Sequence, residues 1–202
     1  MTKRPPRTLR VMTAAEAMAA LQADPDFVAR RARLDAQHQQ DAAALAQAEV
    51  PLVADLRAAG CEVQSVWDLV NTTAAYSTAV PILLEHLSRP YPAPIREGIA
   101  RALGVKEAQF ARAALAAAYR CERDSAVKDG LAIAVAATAD IEEVITLVRD
   151  PNQGPSRLLL LSRLVTWRDP RASVVLAELS TDADLEAEIP VVLRQMERRK
   201  KT

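Results

Sequence analysis

The feature that most restricts what this chain can fold into is a pattern recurring along its second half. Pro94–Leu103, Ala126–Val135, Pro155–Leu164 and Asp184–Leu193 fall into register at offsets of 32, 29 and 29 residues. Ile99, Leu131, Leu160 and Ile189 form one apolar column, and Leu103, Val135, Leu164 and Leu193 form the next. Residues four apart share a helix face, so each segment reads as an amphipathic helix presenting the same stripe. A period near thirty implies one supersecondary unit copied and stacked, because a single unit cannot bury both of its faces.

Each of these helices, termed B, follows a second amphipathic segment, termed A. The A stripes are Val80, Leu83, Leu84 and Leu87; Ala111, Ala114, Leu115 and Ala118; Ile141, Val144, Ile145 and Val148; and Ala172, Val175, Leu176 and Leu179. Breaker-rich turns separate A from B at 89–94, 121–124, 150–155 and 181–184. The spacing therefore predicts four antiparallel helix pairs between about residues 77 and 198. Pro190 falls inside the fourth B segment, so that helix should start late or kink.

Composition agrees with an all-α class. Half of the residues are hydrophobic but only 3% are aromatic, and alanine, the best helix former, contributes little volume. The core should be thin, with helices in close approach. Gly98 and Gly130 occupy one column and would let neighbouring B helices touch; Leu159 takes that place in the third unit and predicts wider spacing there. Alternating β-branched and aromatic runs, the mark of strands, are missing from the sequence.

Two units combine a turn aspartate with a base early in the B helix: Asp124 with Lys128, and Asp150 with Arg157. In this, and in its helix pairs and period, the C-terminal three-fifths of the chain resembles HEAT repeats, short bacterial ones in particular. The resemblance implies a right-handed α-solenoid of about four HEAT-like helix pairs, with B helices lining a concave face. It also implies a ladder in which aspartate and base join neighbouring units. Two units depart from the pattern. The first carries Arg96 without a turn aspartate, and the fourth has Asp182 with Glu186 where a base belongs.

The N-terminal part reads as an appendage. Residues 1–12 form a basic, flexible tail, 13–76 a helical cap, and 77–202 the repeat domain. Thr13 and Glu16 form a capping box for a helix to about Ala23. Asp24 and Pro25 open a long polar helix to about Ala48, with Leu34 and Leu45 its only large aliphatics past Val28. Pro51 should break or bend it before a further helix ends at Gly60, a natural C′ residue. Val66, Trp67, Leu69 and Val70 read as a short helix plugging the first repeat.

Chemical motifs are few. His38 lies in the polar helix, and His86, between Leu84 and Leu87, reads as a surface or boundary histidine. Neither has metal-ligand spacing to other donors, so no metal or other cofactor is expected. Phosphate-cradling and nucleophile motifs do not occur, and five glycines leave little room for them. Cys61 and Cys121 stand far apart, as free thiols in a reducing cytosol would. No signal peptide or membrane-spanning run is found, so a cytoplasmic location is expected.

The leading candidate site is a basic column. Arg96, Lys128 and Arg157 are equivalent on successive B helices, and Arg101 and Arg163 extend the row. Such a row either completes the ladder, with Glu97 and Asp129 helping to neutralise it, or grips an acidic protein or phosphates. Tyr91 and Trp167, in loops, are candidate exposed anchors. With 26 basic and 26 acidic residues the charge balance argues against nucleic acid. The expected function is a non-catalytic scaffold or adaptor, monomeric or weakly dimeric, that binds a protein partner through its B-helix face. One alternative makes that partner an enzyme or toxin, as for immunity proteins. Another, from the HEAT-like DNA glycosylases, is nucleic-acid recognition.

Overall fold

Caps and breakers cut the chain close to the predicted boundaries. The computed structural model describes residues 12–166 and 170–200, and all regular structure among them is helical. Helices α1 (Ala14–Ala23), α2 (Pro25–Ala58) and α3 (Val66–Asn71) come first. Four pairs follow: α4 (Val80–Leu87) with α5 (Ala93–Ala102), α6 (Arg112–Cys121) with α7 (Ser125–Thr138), α8 (Ile141–Arg149) with α9 (Arg157–Thr166), and α10 (Pro170–Glu178) with α11 (Ile189–Lys200). The expected basic tail, apart from Met12, and Trp167 lie outside the described residues.

The chain divides into two compact units, residues 1–44 and 45–202. In the first, Thr13 accepts from the Glu16 amide while the Glu16 carboxylate accepts from the Thr13 amide, the capping box read from the sequence. Nothing in α1 is buried, and of residues 25–44 only Phe27 is even half-buried. The alanine-rich first half of α2 is thus held by helix propensity and by i,i+4 pairs, Arg31 with Asp35 and Gln37 with Asp41.

The predicted break at Pro51 does not occur; α2 runs through it. Pro51 removes the N–H that would bond the Gln47 carbonyl, but both residues lie on an exposed face where water replaces the bond. Leu52, Val53 and Leu56, buried on the other side, hold the helix to the repeat core. Gly60 closes it at φ +87°, a conformation that favours glycine.

In the second unit the two apolar columns are the core. Ile99, Leu131, Leu160 and Ile189 are all at most 1% exposed, and Leu103, Val135 and Leu164 are fully buried. Each A helix packs on its own B helix, and B helices pack in series, α5 on α7, α7 on α9 and α9 on α11. The chain end of α2 and α3 close the first pair: Val66 and Leu69 are buried against α5. A Cβ on Gly98 would stand 2.5 Å from Val66 Cγ1, and one on Gly130 3.0 Å from the Glu97 carbonyl oxygen and Ala100 Cβ. Both glycines serve close approach, each toward the preceding helix. As expected, α11 starts late, with Pro190 in its first turn, where a missing N–H costs nothing.

Two details differ from the sequence reading. In α6, Ala114 is exposed, and Leu115, Ala116 and Tyr119 form the buried face. Tyr119 supplies the volume that its alanine neighbours lack, and its hydroxyl shares a 2.9 Å hydrogen bond with Ser156 of the next turn. His86, read as surface, is fully buried.

Candidate functional site

The basic column lies at the junction between successive units, and each base reaches the turn of the unit that follows. Arg96 on α5 pairs with Glu122 in the α6–α7 turn. Lys128 on α7 donates at 3.0 Å to Oε1 of Gln153 in the α8–α9 turn, its ammonium 5.0 Å above the Tyr119 ring. Arg157 on α9 forks onto Asp182, at 2.8 and 2.9 Å, and reaches Asp184 at 3.0 Å. Its remaining donors satisfy the carbonyls of Val148, at 3.1 Å, and Gly154, at 2.9 Å. The fork is the planar guanidinium's bidentate geometry. Arg157 is 1% exposed and closed to any external partner.

The carboxylates of this ladder are tuned accordingly. Burial opposes ionisation of Glu122, but the amides of Asp124 and Arg123 and the Arg96 guanidinium outweigh it and hold its pKa below the usual value. The Arg157 fork does the same for Asp182. Asp124 and Asp150, read as the ladder's acids, instead cap. Asp124 accepts from the amides of Ala126 and Val127. Asp150 accepts from the Asn152 amide and, at 2.7 Å, from the Gln153 side chain, which it aims at Lys128. Two of the three rungs thus use other residues of the same turns, Glu122 and Gln153, while the third uses Asp182, the fourth unit's turn aspartate.

One helical position beyond the ladder, the B helices present a different row. Glu97 and Arg101 on α5, Asp129 and Ile133 on α7, and Leu158 on α9 are half-buried; Ser162 is exposed. Arg101 donates at 2.7 Å to Glu97. Asp129 packs beside this pair, since the backbone at Gly130 abuts the Glu97 carbonyl and the Arg101 stem. Burial pushes its pKa up, Arg101 lowers it and Glu97 raises it, and the net direction is upward. Trp67 on α3 lies over Gly98 at one end of the row, and Arg163 on α9 is half-buried at the other. Of the predicted bases, Arg101 is the one drawn into this row beside Asp129. The row was not singled out from the sequence, although Glu97, Asp129 and Leu158 directly follow the three column bases.

Tyr91, expected as an exposed anchor, is tied down. Its hydroxyl lies 2.7 Å from Nδ1 of His86, and the two rings stack with centroids 5.7 Å apart. Nε2 of His86 lies 2.9 Å from Asp55 Oδ2 on α2. One ring nitrogen thus faces the carboxylate and the other the phenol, so both polar atoms of the buried ring are satisfied. The bridge fastens α2 and the first A–B turn to α4. The histidine's apolar flanks hid it, because its partners are 31 and 5 residues away.

Among the described residues no group of three or more His, Cys, Asp or Glu is placed to hold a metal ion, and no helix is long and apolar enough to cross a membrane. Fold and site together define an all-helical protein of paired helices joined by a polar ladder. Compared with protein-family models, with curated proteins and with solved structures, the chain matches none.

Proposed function

We propose that this chain is a non-catalytic, HEAT-like α-solenoid of the cytosol that binds a protein partner along its B-helix row. The observation that carries the reading is that row itself: Trp67 on α3, Glu97 and Arg101 on α5, Asp129 and Ile133 on α7, and Leu158 and Ser162 on α9 lie on helices packed in series, and each keeps access to solvent. B helices pack directly on one another, whereas A helices join their neighbours largely through ion pairs such as Arg120–Glu143 and Arg149–Glu178. Inner and outer rows of a curved stack differ in this way, which favours a concave B face. Trp67 and Arg101, both half-buried in the row, are residue types enriched at protein interfaces. A nucleic-acid reading loses support because Arg96, Lys128 and Arg157 already have partners in the ladder. Inhibition of a partner enzyme would be one form of the same binding.

Site-specific photo-crosslinking tests this. A photoreactive residue replaces Ser162, exposed on α9, or Val174, exposed on α10. A discrete adduct from host extract is expected at position 162 and not at 174, and Ile133→Glu should abolish it. Equal labelling at both positions, or an adduct indifferent to Ile133→Glu, would overturn the reading. So would retardation of DNA or RNA at low salt that collapses steeply as salt rises.

A further inference from the structure

The B-helix row contains one group whose environment is at odds with its charge. Asp129 is half-buried at the start of α7, yet among the described residues it takes part in no hydrogen bond and no ion pair, and Arg101, the base that acts on it, is bonded to Glu97. Lys128, its neighbour in sequence, turns away to Gln153 and Tyr119. One guanidinium therefore serves two carboxylates, and the local charge is negative. A partly desolvated carboxylate that shares its base with a second carboxylate is disfavoured in the free protein. The backbone that carries it is held close to α5, where a Cβ on the adjacent Gly130 would stand 3.0 Å from the Glu97 carbonyl oxygen and from Ala100 Cβ. A local conflict that the fold maintains is the expected mark of a binding residue.

We infer that the partner places a basic side chain, lysine or arginine with apolar neighbours, against Asp129 and Glu97. The inference rests on the B-row reading and specifies its chemistry. Charge complementarity selects the cation. The flanks select its neighbours: Ile133, leaning toward Gly104 on one side, and Trp67 over Gly98 on the other, are half-buried apolar surfaces along which a basic side chain's stem or an adjacent aliphatic residue would lie. The same negative charge repels phosphate, so neither a nucleic acid nor an anionic membrane fits this part of the row.

The test uses the full chain and a displayed library of random dodecapeptides, selected on wild type and on Asp129→Lys, with the melting temperature of Asp129→Asn read separately. Three results are expected. Peptides from wild type carry a lysine or arginine beside an aliphatic residue, crosslink at position 162, and lose about tenfold in affinity on Asp129→Asn. Asp129→Lys selects acidic peptides instead. Asp129→Asn, without ligand, melts higher than wild type, by about 1–4 °C for a chain of this size. Peptides that crosslink at position 162 without a basic residue, or that ignore both substitutions, overturn the inference and leave the B-row reading standing. A lower melting temperature for Asp129→Asn also overturns it, since Asp129 would then be a structural residue. Failure to select any peptide that crosslinks at position 162 overturns both.

Discussion

Replacing Arg157 by methionine tests the ladder at its most buried rung. The guanidinium makes five hydrogen bonds, three to Asp182 and Asp184 and two to the carbonyls of Val148 and Gly154. Methionine has a similar length and an adaptable stem, so little of the loss is cavity. Truncating one partner of a buried ion pair costs about 3–5 kcal/mol, with much of it coming from the group left behind. Here Asp182 and Asp184 are 20% and 42% exposed and regain water, which points to the low end of that range. The Val148 carbonyl, in the last turn of α8, has no such recourse, and stranding it contributes about 1–3 kcal/mol. A total near 3 kcal/mol follows. Arg157→Lys, which keeps the charge and loses the fork, should recover less than half of it.

Stacked units exchange stability only with their neighbours, so the loss should be local. Hydrogen exchange should accelerate in α10 and α11, which depend on this rung, and remain unchanged in α5 and α7. Urea unfolding gives the total, and a double-mutant cycle with Asp182→Asn should yield a coupling of about 2 kcal/mol. Either of two outcomes refutes the reasoning: a variant within about 0.5 kcal/mol of wild type, or exchange that rises evenly along the chain.

Three further outcomes are expected. Asp182 and Glu122 have folded pKa values below their unfolded ones, so their contribution is complete above about pH 5 and is lost as pH falls through the depressed values; acid titration followed by circular dichroism should show this limb, shallower in Arg157→Met. Pro51→Ala restores the amide to the Gln47 carbonyl at an exposed site and should stabilise the chain by about 1–3 kcal/mol in thermal melts, with no gain contradicting the account of α2. Gly130→Ala gains about 1 kcal/mol in helix propensity but meets a backbone carbonyl and a methyl group at 3.0 Å, so the overpacking cost of about 1–3 kcal/mol should leave a net loss in urea unfolding.

The parts of the fold legible in the sequence were those set by periodicity and by single-residue backbone rules. The columns at Ile99 and Leu103 mark the buried faces through three units, and in the fourth Ile189 is buried while Leu193 is half-buried beside Val192 and Met196, because apolar spacing and helix geometry are local. Thr13, Gly60 and Pro190 marked helix ends for equally local reasons. Errors arose where a distant group decided the outcome. Pro51 reads as a break in α2, but the full burial of Leu52 and Leu56 outweighs one lost hydrogen bond. His86 was placed at the surface because nothing adjacent in sequence satisfies its two nitrogens; Asp55 and Tyr91 do. At the ladder the sequence points to the bases and to Asp182 but not to Glu122 or Gln153. Every turn offers several polar residues, and which one faces the preceding base depends on the turn's path rather than on its composition.

That distinction also locates where binding specificity has room to reside. A base at the position of Arg96, Lys128 or Arg157 is committed to the next unit's turn, and turning it toward a partner would strand the carboxylate or amide it serves. The following residue, rotated by about 100° around the helix, is under no such obligation. Its occupants show this: Glu97, Asp129 and Leu158 differ in charge and size while the bases one residue earlier remain basic. Four positions further on, Arg101, Ile133 and Ser162 diverge as freely, although the apolar columns beside them hold. Equivalent positions that must make the same inter-unit bond stay alike within one chain, and those facing outward vary. The variable row is therefore where a repeat protein of this construction can distinguish one partner from another without loosening the joints that keep its units in register.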